Sequence, residues 1–190
     1  MRVKDLEKRE TIKQETFAMV AEQGLAGLKM AHLAKRVGVS PSTVYVYFKD
    51  KEDLVLTLFM EVTQSLVGEI VDAFDEGEDF DVNLRRAWFA YMDYLYEHFP
   101  AIMFHEAVKN SSYYATLANQ MKDDEMVGLE EIIRSGQEQG KVKDFDEKLM
   151  LASLDGMSIK MTEMFVRGGL ERSEEQMENC FRLICDSIKA

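Results

Sequence analysis

Two prolines, Pro41 and Pro100, are all that 190 residues contain, so long stretches run without the ring that breaks a helix interior. Cysteine is as scarce. Cys180 and Cys185 lie five apart where the pattern is helical, so their side chains point in different directions and a disulfide between them is excluded. No uninterrupted apolar run approaches the roughly 18 to 20 residues that cross a bilayer, and the opening MRVKDLEKRE lacks the apolar core of a secretory signal. The expectation is a cytoplasmic chain with no membrane partner. Among the three histidines, His98 and His105, with Glu106, show neither H-x-x-x-H nor H-E-x-x-H spacing, so no metal is expected. G-x-S-x-G, a phosphate-cradling glycine loop and a dinucleotide fingerprint are all missing. Neither an enzyme nor a cofactor is expected.

What is plentiful is acid and helix-compatible apolar sequence. The net charge is -12, with 46% hydrophobic and 31% charged residues. That charge is divided by region: residues 1–55 carry +2 and residues 56–190 carry -14. Within 25–51 five basic residues (Lys29, Lys35, Arg36, Lys49, Lys51) meet a single acid, Asp50. Such a division suits a protein that meets a polyanion at one end and keeps the remainder off it.

Apolar periodicity predicts nine helices, at about 4–23, 30–37, 41–47, 51–73, 82–98, 101–109, 113–137, 145–168 and 173–188. Ile12, Thr16, Met19 and Val20 form one face of the first, which Gly24 stops. Gly38 ends the second, Ser40 is the N-cap candidate of the third, and Pro41 sits where a proline suits a first turn. Two short helices around such a turn make a helix-turn-helix, whose second helix is sized for a DNA major groove. The acidic stretch 75–81 reads as a solvated loop, without the ligand spacing of a calcium loop. The fold class is all-α, a small amino-terminal three-helix module (1–50) on a larger helical domain (51–190).

Ile12, Gly24, Leu33-Ala34, Gly38-Val39-Ser40, Thr43-Val44-Tyr45, Tyr47-Phe48 and Lys51-Glu52-Asp53-Leu54 keep fixed spacings over about 45 residues. In this order the segment resembles the amino-terminal domain of TetR/AcrR transcriptional regulators. On the residues alone, Ser42, Thr43, Tyr45 and Tyr47 offer hydroxyls to phosphates, while Val44 and Phe48, at i and i+4, are the pair for the core. Base reading falls to Ser42, Thr43, Val46 and Tyr45. The resemblance implies phosphate contacts from Tyr47 and Lys51, and Ser40 and Lys29 complete the expected DNA-binding set. Three positions depart from the family pattern: Lys29 replaces a usual Thr or Ser cap, Ala31 a common arginine, and Thr16 a usual alanine.

Seven of the 19 aromatics fall between residues 85 and 105, and methionines recur further along. Aromatic density of this order, with soft methionine surface, suits an apolar ligand. The expected lining is Trp88, Met92, Tyr96, Met103, Phe104, Tyr114, Met121, Met157 and Met161. The resemblance further implies that the last two helices pair two copies about a two-fold axis. Leu149, Ser153, Gly156 and Ile159, with Met177, Phe181, Ile184 and Ile188, give stripes fit for that. The expected partners are therefore double-stranded DNA bearing an inverted repeat, a small-molecule effector and a second copy of the chain. Two readings stay open: a repressor released by a small ligand, and a DNA-bound adaptor that recruits a protein.

Overall fold

The computed structural model describes residues 3–75, 77–118 and 127–190. Among the described residues ten helices follow one another: α1 (Val3–Gly27), α2 (Met30–Val37), α3 (Pro41–Tyr47), α4 (Lys51–Asp72), α5 (Phe80–Glu97), α6 (Phe99–Lys109), α7 (Ser112–Ala118), α8 (Val127–Glu138), α9 (Glu147–Val166) and α10 (Glu174–Ile188). No strand occurs among the described residues. An antiparallel bridge, Val142 to Lys189, ties the turn after α8 to the end of α10. The expected helix over 113–137 is represented by α7 and α8, and residues 119–126 lie outside the described set.

Packing divides the chain into two compact units, Met1–Gln64 with Pro100–Lys122, and Ser65–Phe99 with Asp123–Ala190. The unit holding α1–α3 thus also holds most of α4, nearly all of α6, and α7. Its core is built on the face expected of α1, since Ile12, Thr16, Met19 and Val20 are all buried. Thr16 is tolerated there because its hydroxyl donates to the Ile12 carbonyl (2.8 Å), so no polar group is left unpaired. At Gly24 the backbone turns left-handed (φ 68°), interrupting α1 where the sequence placed its stop.

By length and composition α4, at a mean hydropathy of 1.6, would pass for a bilayer-crossing segment, a property that a search for uninterrupted apolar runs does not reveal. Its apolar side chains have another use. Leu54, Val55, Leu58, Phe59 and Val62 are buried inside the protein. His105 of α6 stacks on Phe59 with centroids 4.3 Å apart. Thr63 donates its hydroxyl proton to the Phe59 carbonyl (3.0 Å), so it can only accept from His105 Nε2–H, 3.1 Å away.

In the second unit Phe80, Leu84, Ile133, Val142, Met150 and Ile188 form one apolar cluster. Gly136 is required by it: a Cβ there would stand 2.5 Å from both Phe80 and Val142. The described acids of the acidic stretch, Asp75, Glu78, Asp79 and Asp81, are exposed, as a solvated loop requires, and two of them also make ion pairs. Asp79 caps α5 by accepting from the Asp81 amide and also takes Lys141 (2.6 Å), while Asp81 takes Lys189 (2.6 Å).

Candidate nucleic-acid interface

Local rules build the helix-turn-helix. Gly38 takes the left-handed conformation (φ 76°), which lets its amide bond back to α2, and the Val39 amide reaches the Ala34 carbonyl at 2.9 Å. The Ser40 hydroxyl then accepts from the Thr43 amide (3.3 Å), with Pro41 opening α3. Val44 and Phe48 are buried, as i and i+4 spacing predicts, and they hold α3 by its inner face. The other face is outward: Ser42 is exposed, Tyr45 is 50% exposed and Val46 78%, with Thr43 and Tyr47 half-buried. Lys29 occupies the α2 cap position without any side-chain capping bond, so the departure there removes a cap and leaves an exposed ammonium.

The five cations of this region are not equivalent. Arg36 forks onto Glu22 (2.6 and 3.0 Å) and also meets Glu15 (2.8 Å), pairs that push its pKa up and neutralise it locally. Lys51 donates to the Leu25 carbonyl (2.7 Å), clipping the start of α4 to the end of α1, and burial holds its ammonium below the ordinary value. Lys29, Lys35 and Lys49 are exposed and make no ion pair among the described residues. Lys49 is the contact candidate that motif reasoning passed over. Its amide is fixed by Asp53 (2.8 Å), whose own amide bonds Asp50 (2.9 Å), so the backbone leading from α3 into α4 is rigid at that residue. Arg9, bonded to Glu61, lies 5.4 Å from the centre of the Phe48 ring.

The expected ligand lining does not gather in one unit. Trp88, Met92, Tyr96, Met157 and Met161 belong to the second unit; Met103, Phe104 and Tyr114 belong to the first. Met121 lies outside the described residues. Trp88 and Met92 are core: the indole donates to Ser158 (3.2 Å), and Thr162 bonds the Met92 sulfur (3.8 Å). Phe104 is wholly enclosed, and Tyr96 and Tyr114 are part-exposed, Tyr96 beneath the Arg172 guanidinium.

The two expected dimer stripes behave oppositely. On α9, Leu149 is 61% exposed, Ser153 and Gly156 are exposed, and Ile159 is half-buried. On α10, Met177, Ile184 and Ile188 are buried within the protomer and Phe181 is half-buried against Trp88, so that stripe corrects to the helix's inner face. Leu183, at 55% exposure, is the apolar side chain that α10 turns outward.

Comparison with known proteins agrees with this architecture. Residues 12–58 match the family described as bacterial regulatory proteins, tetR family, and residues 59–189 match the tetracyclin repressor-like C-terminal domain. An uncharacterised HTH-type transcriptional regulator of Haemophilus influenzae is 31% identical over 110 residues, 58% of this chain and 56% of that one. The fatty acid metabolism regulator protein of Bacillus subtilis is 34% identical over 58 residues, 30% of this chain and 28% of that one. The matches thus span about half of the first relative and under a third of the second. A TetR family transcription regulator from Marinobacter aquaeolei VT8 superposes with a TM-score of 0.86 at 25% identity, covering 100% of this chain and 99% of that one.

Proposed function

The chain belongs to the tetR family of bacterial regulatory proteins and is a DNA-binding transcriptional regulator, not an enzyme, and from that premise we propose a homodimeric repressor that a small apolar or amphipathic molecule releases from a palindromic operator. Residues 1–50 act as the DNA-binding part and 51–190 as the effector-binding and dimerisation part, and the protein works in the cytoplasm. The observation that carries the reading is the outward face of α3, held by Gly38 and Ser40 on one side and by Val44 and Phe48 on the other. Ser42, Thr43, Tyr45 and Val46 meet base edges, and Tyr47, Lys29 and Lys49 hold the backbone, with a spare proton of the Lys51 ammonium also available to it. Ser40, expected among these contacts, is instead occupied within α3.

Two copies pair through the exposed α9 stripe of Leu149, Ser153, Gly156 and Ile159, joined by Leu183 of α10. Each copy then offers α3 to one half-site, with half-site centres about 34–36 Å apart. The effector binds in the second unit beside Trp88, Met92, Met157 and Met161, where aromatic and thioether surface meets the buried hydroxyls of Ser158 and Thr162. Fatty acid metabolism, named for the Bacillus subtilis relative, is one apolar chemistry of the right kind. Release requires the effector to favour the DNA-free state by about 1–3 kcal/mol.

Selection of tight-binding duplexes from a random pool tests this reading. An enriched inverted repeat supports it. Failure of the folded, dimeric protein to enrich any sequence would sink the operator reading and leave the adaptor in its place.

A further inference from the structure

The outward face of α3 is chemically narrower than the edges it is to read. Ser42, Tyr45 and Val46 stand at i, i+3 and i+4, and all three are exposed. The helix sequence PSTVYVY holds no arginine, lysine, asparagine or glutamine. Neither the bidentate pair to guanine O6 and N7 nor that to adenine N6 and N7 can therefore come from α3.

The hydroxyls discriminate little. Ser40 accepts from the Thr43 amide and bonds both Ser42 (2.7 Å) and Thr43 (2.9 Å), so its single proton and both lone pairs are used. Ser42 and Thr43 keep what remains, and a hydroxyl, which both donates and accepts, suits any of the four bases. Val46 differs. At 78% exposure it is the most exposed of the large apolar side chains among the described residues, on a helix that buries Val44 completely. An isopropyl group held out in this way gains nothing from water and nothing from the fold.

Only one of the four bases presents a methyl group in the major groove, the thymine C5 methyl. We propose that α3 reads its operator through that methyl, with Val46 as the discriminating side chain, so that each half-site carries a thymine beneath Val46. The inference rests on the DNA-binding reading above and specifies the chemistry it recognises. A corollary separates methyl reading from hydrogen-bond reading: 5-methylcytosine, which carries the same methyl on a different donor and acceptor edge, is accepted in place of that thymine better than cytosine is.

The test replaces thymine by uracil, one position at a time, in the selected operator. This removes the methyl and leaves every hydrogen-bonding group in place. Binding of the full-length protein is measured by fluorescence anisotropy for the natural chain and for Val46→Ala, which should fold unchanged because the position is exposed and alanine favours helix. Matching melting curves check that. At one position per half-site uracil lowers affinity about fourfold, the worth of one buried methylene, and about fifteenfold when both half-sites are changed. Val46→Ala binds the thymine and uracil forms of that position alike, and 5-methylcytosine recovers part of what cytosine loses there.

Tolerance of uracil at every position overturns the inference, as does a thymine preference that Val46→Ala leaves intact. Either result would stand beside a selected operator and so would not touch the DNA-binding reading. That reading fails separately, if no sequence is selected at all.

Discussion

The ring of Phe104 lies 5.1 Å from that of Phe17, tilted by 50°, and both side chains are almost wholly enclosed. Helix α6 is thereby part of the packing of α1, and α1 packs on α2, which packs on α3. A residue expected to line a ligand cavity is thus a member of the core beneath the DNA-reading helices.

Phe104→Ala should lower stability by about 3–5 kcal/mol, the range for a buried phenylalanine whose cavity does not close. Urea unfolding measures the loss, and operator affinity should fall with it at temperatures where the variant is partly unfolded. A variant as stable as the natural chain would place Phe104 outside the core.

Lys49 and Lys51, two residues apart, should separate into different roles. Lys51→Met leaves the Leu25 carbonyl without its ammonium partner and should lower stability by about 1–3 kcal/mol. Lys49→Gln should leave stability unchanged and reduce the slope of log affinity against log salt by about 0.9 per protomer. Denaturation curves and a salt titration of DNA binding read the two effects. Equal loss of stability in both variants would contradict the clip between Lys51 and Leu25.

Leu149→Asp places a charge on the exposed stripe of α9 and should yield a folded monomer in sedimentation. Ile184→Asp, by contrast, puts that charge at a position of 0% exposure and should unfold the chain rather than split a dimer. A folded monomer from Ile184→Asp would return α10's inner stripe to the interface.

Acid should weaken the fold through its ion pairs. The Glu22 carboxyl is held below its ordinary value of 4.5 by the Arg36 hydrogen bond, Glu178 by Arg85, and Asp79 below 3.8 by Lys141. Each is lowered on folding, so its contribution is complete above the ordinary carboxylate range and disappears as pH falls through the lowered value. The melting temperature should be level from about pH 7 to 5 and decline below about 4.5. Because these pairs are exposed, about 1 M salt should shrink the difference between pH 7 and pH 4. A decline that begins well above pH 5 would contradict this account of the carboxylates.

The helix-turn-helix was legible because its determinants are local. Gly38, Ser40 and Pro41 act within one turn of themselves, and Val44 with Phe48 follows from helical spacing alone. Amphipathic spacing does not say against what a stripe is buried, which is why Met177, Ile184 and Ile188 fitted an interface as well as a core. Gly136, pressed against Phe80 and Val142, and the hold of Lys141 on Asp79 join residues that only folding brings together, and no window of sequence displays them. Lys51 shows a further difficulty. An ammonium that suits a phosphate suits a carbonyl equally, and which one it meets depends on where α1 ends.

The side chains that face outward on α3 take almost no part in holding α3 in place, since Val44 and Phe48 do that from its other side. Ser42, Tyr45 and Val46 can therefore drift under selection with little effect on folding. A duplicated copy of this gene could acquire a new set of controlled promoters through a few changes on one helical turn, while the remainder of the chain was inherited unaltered.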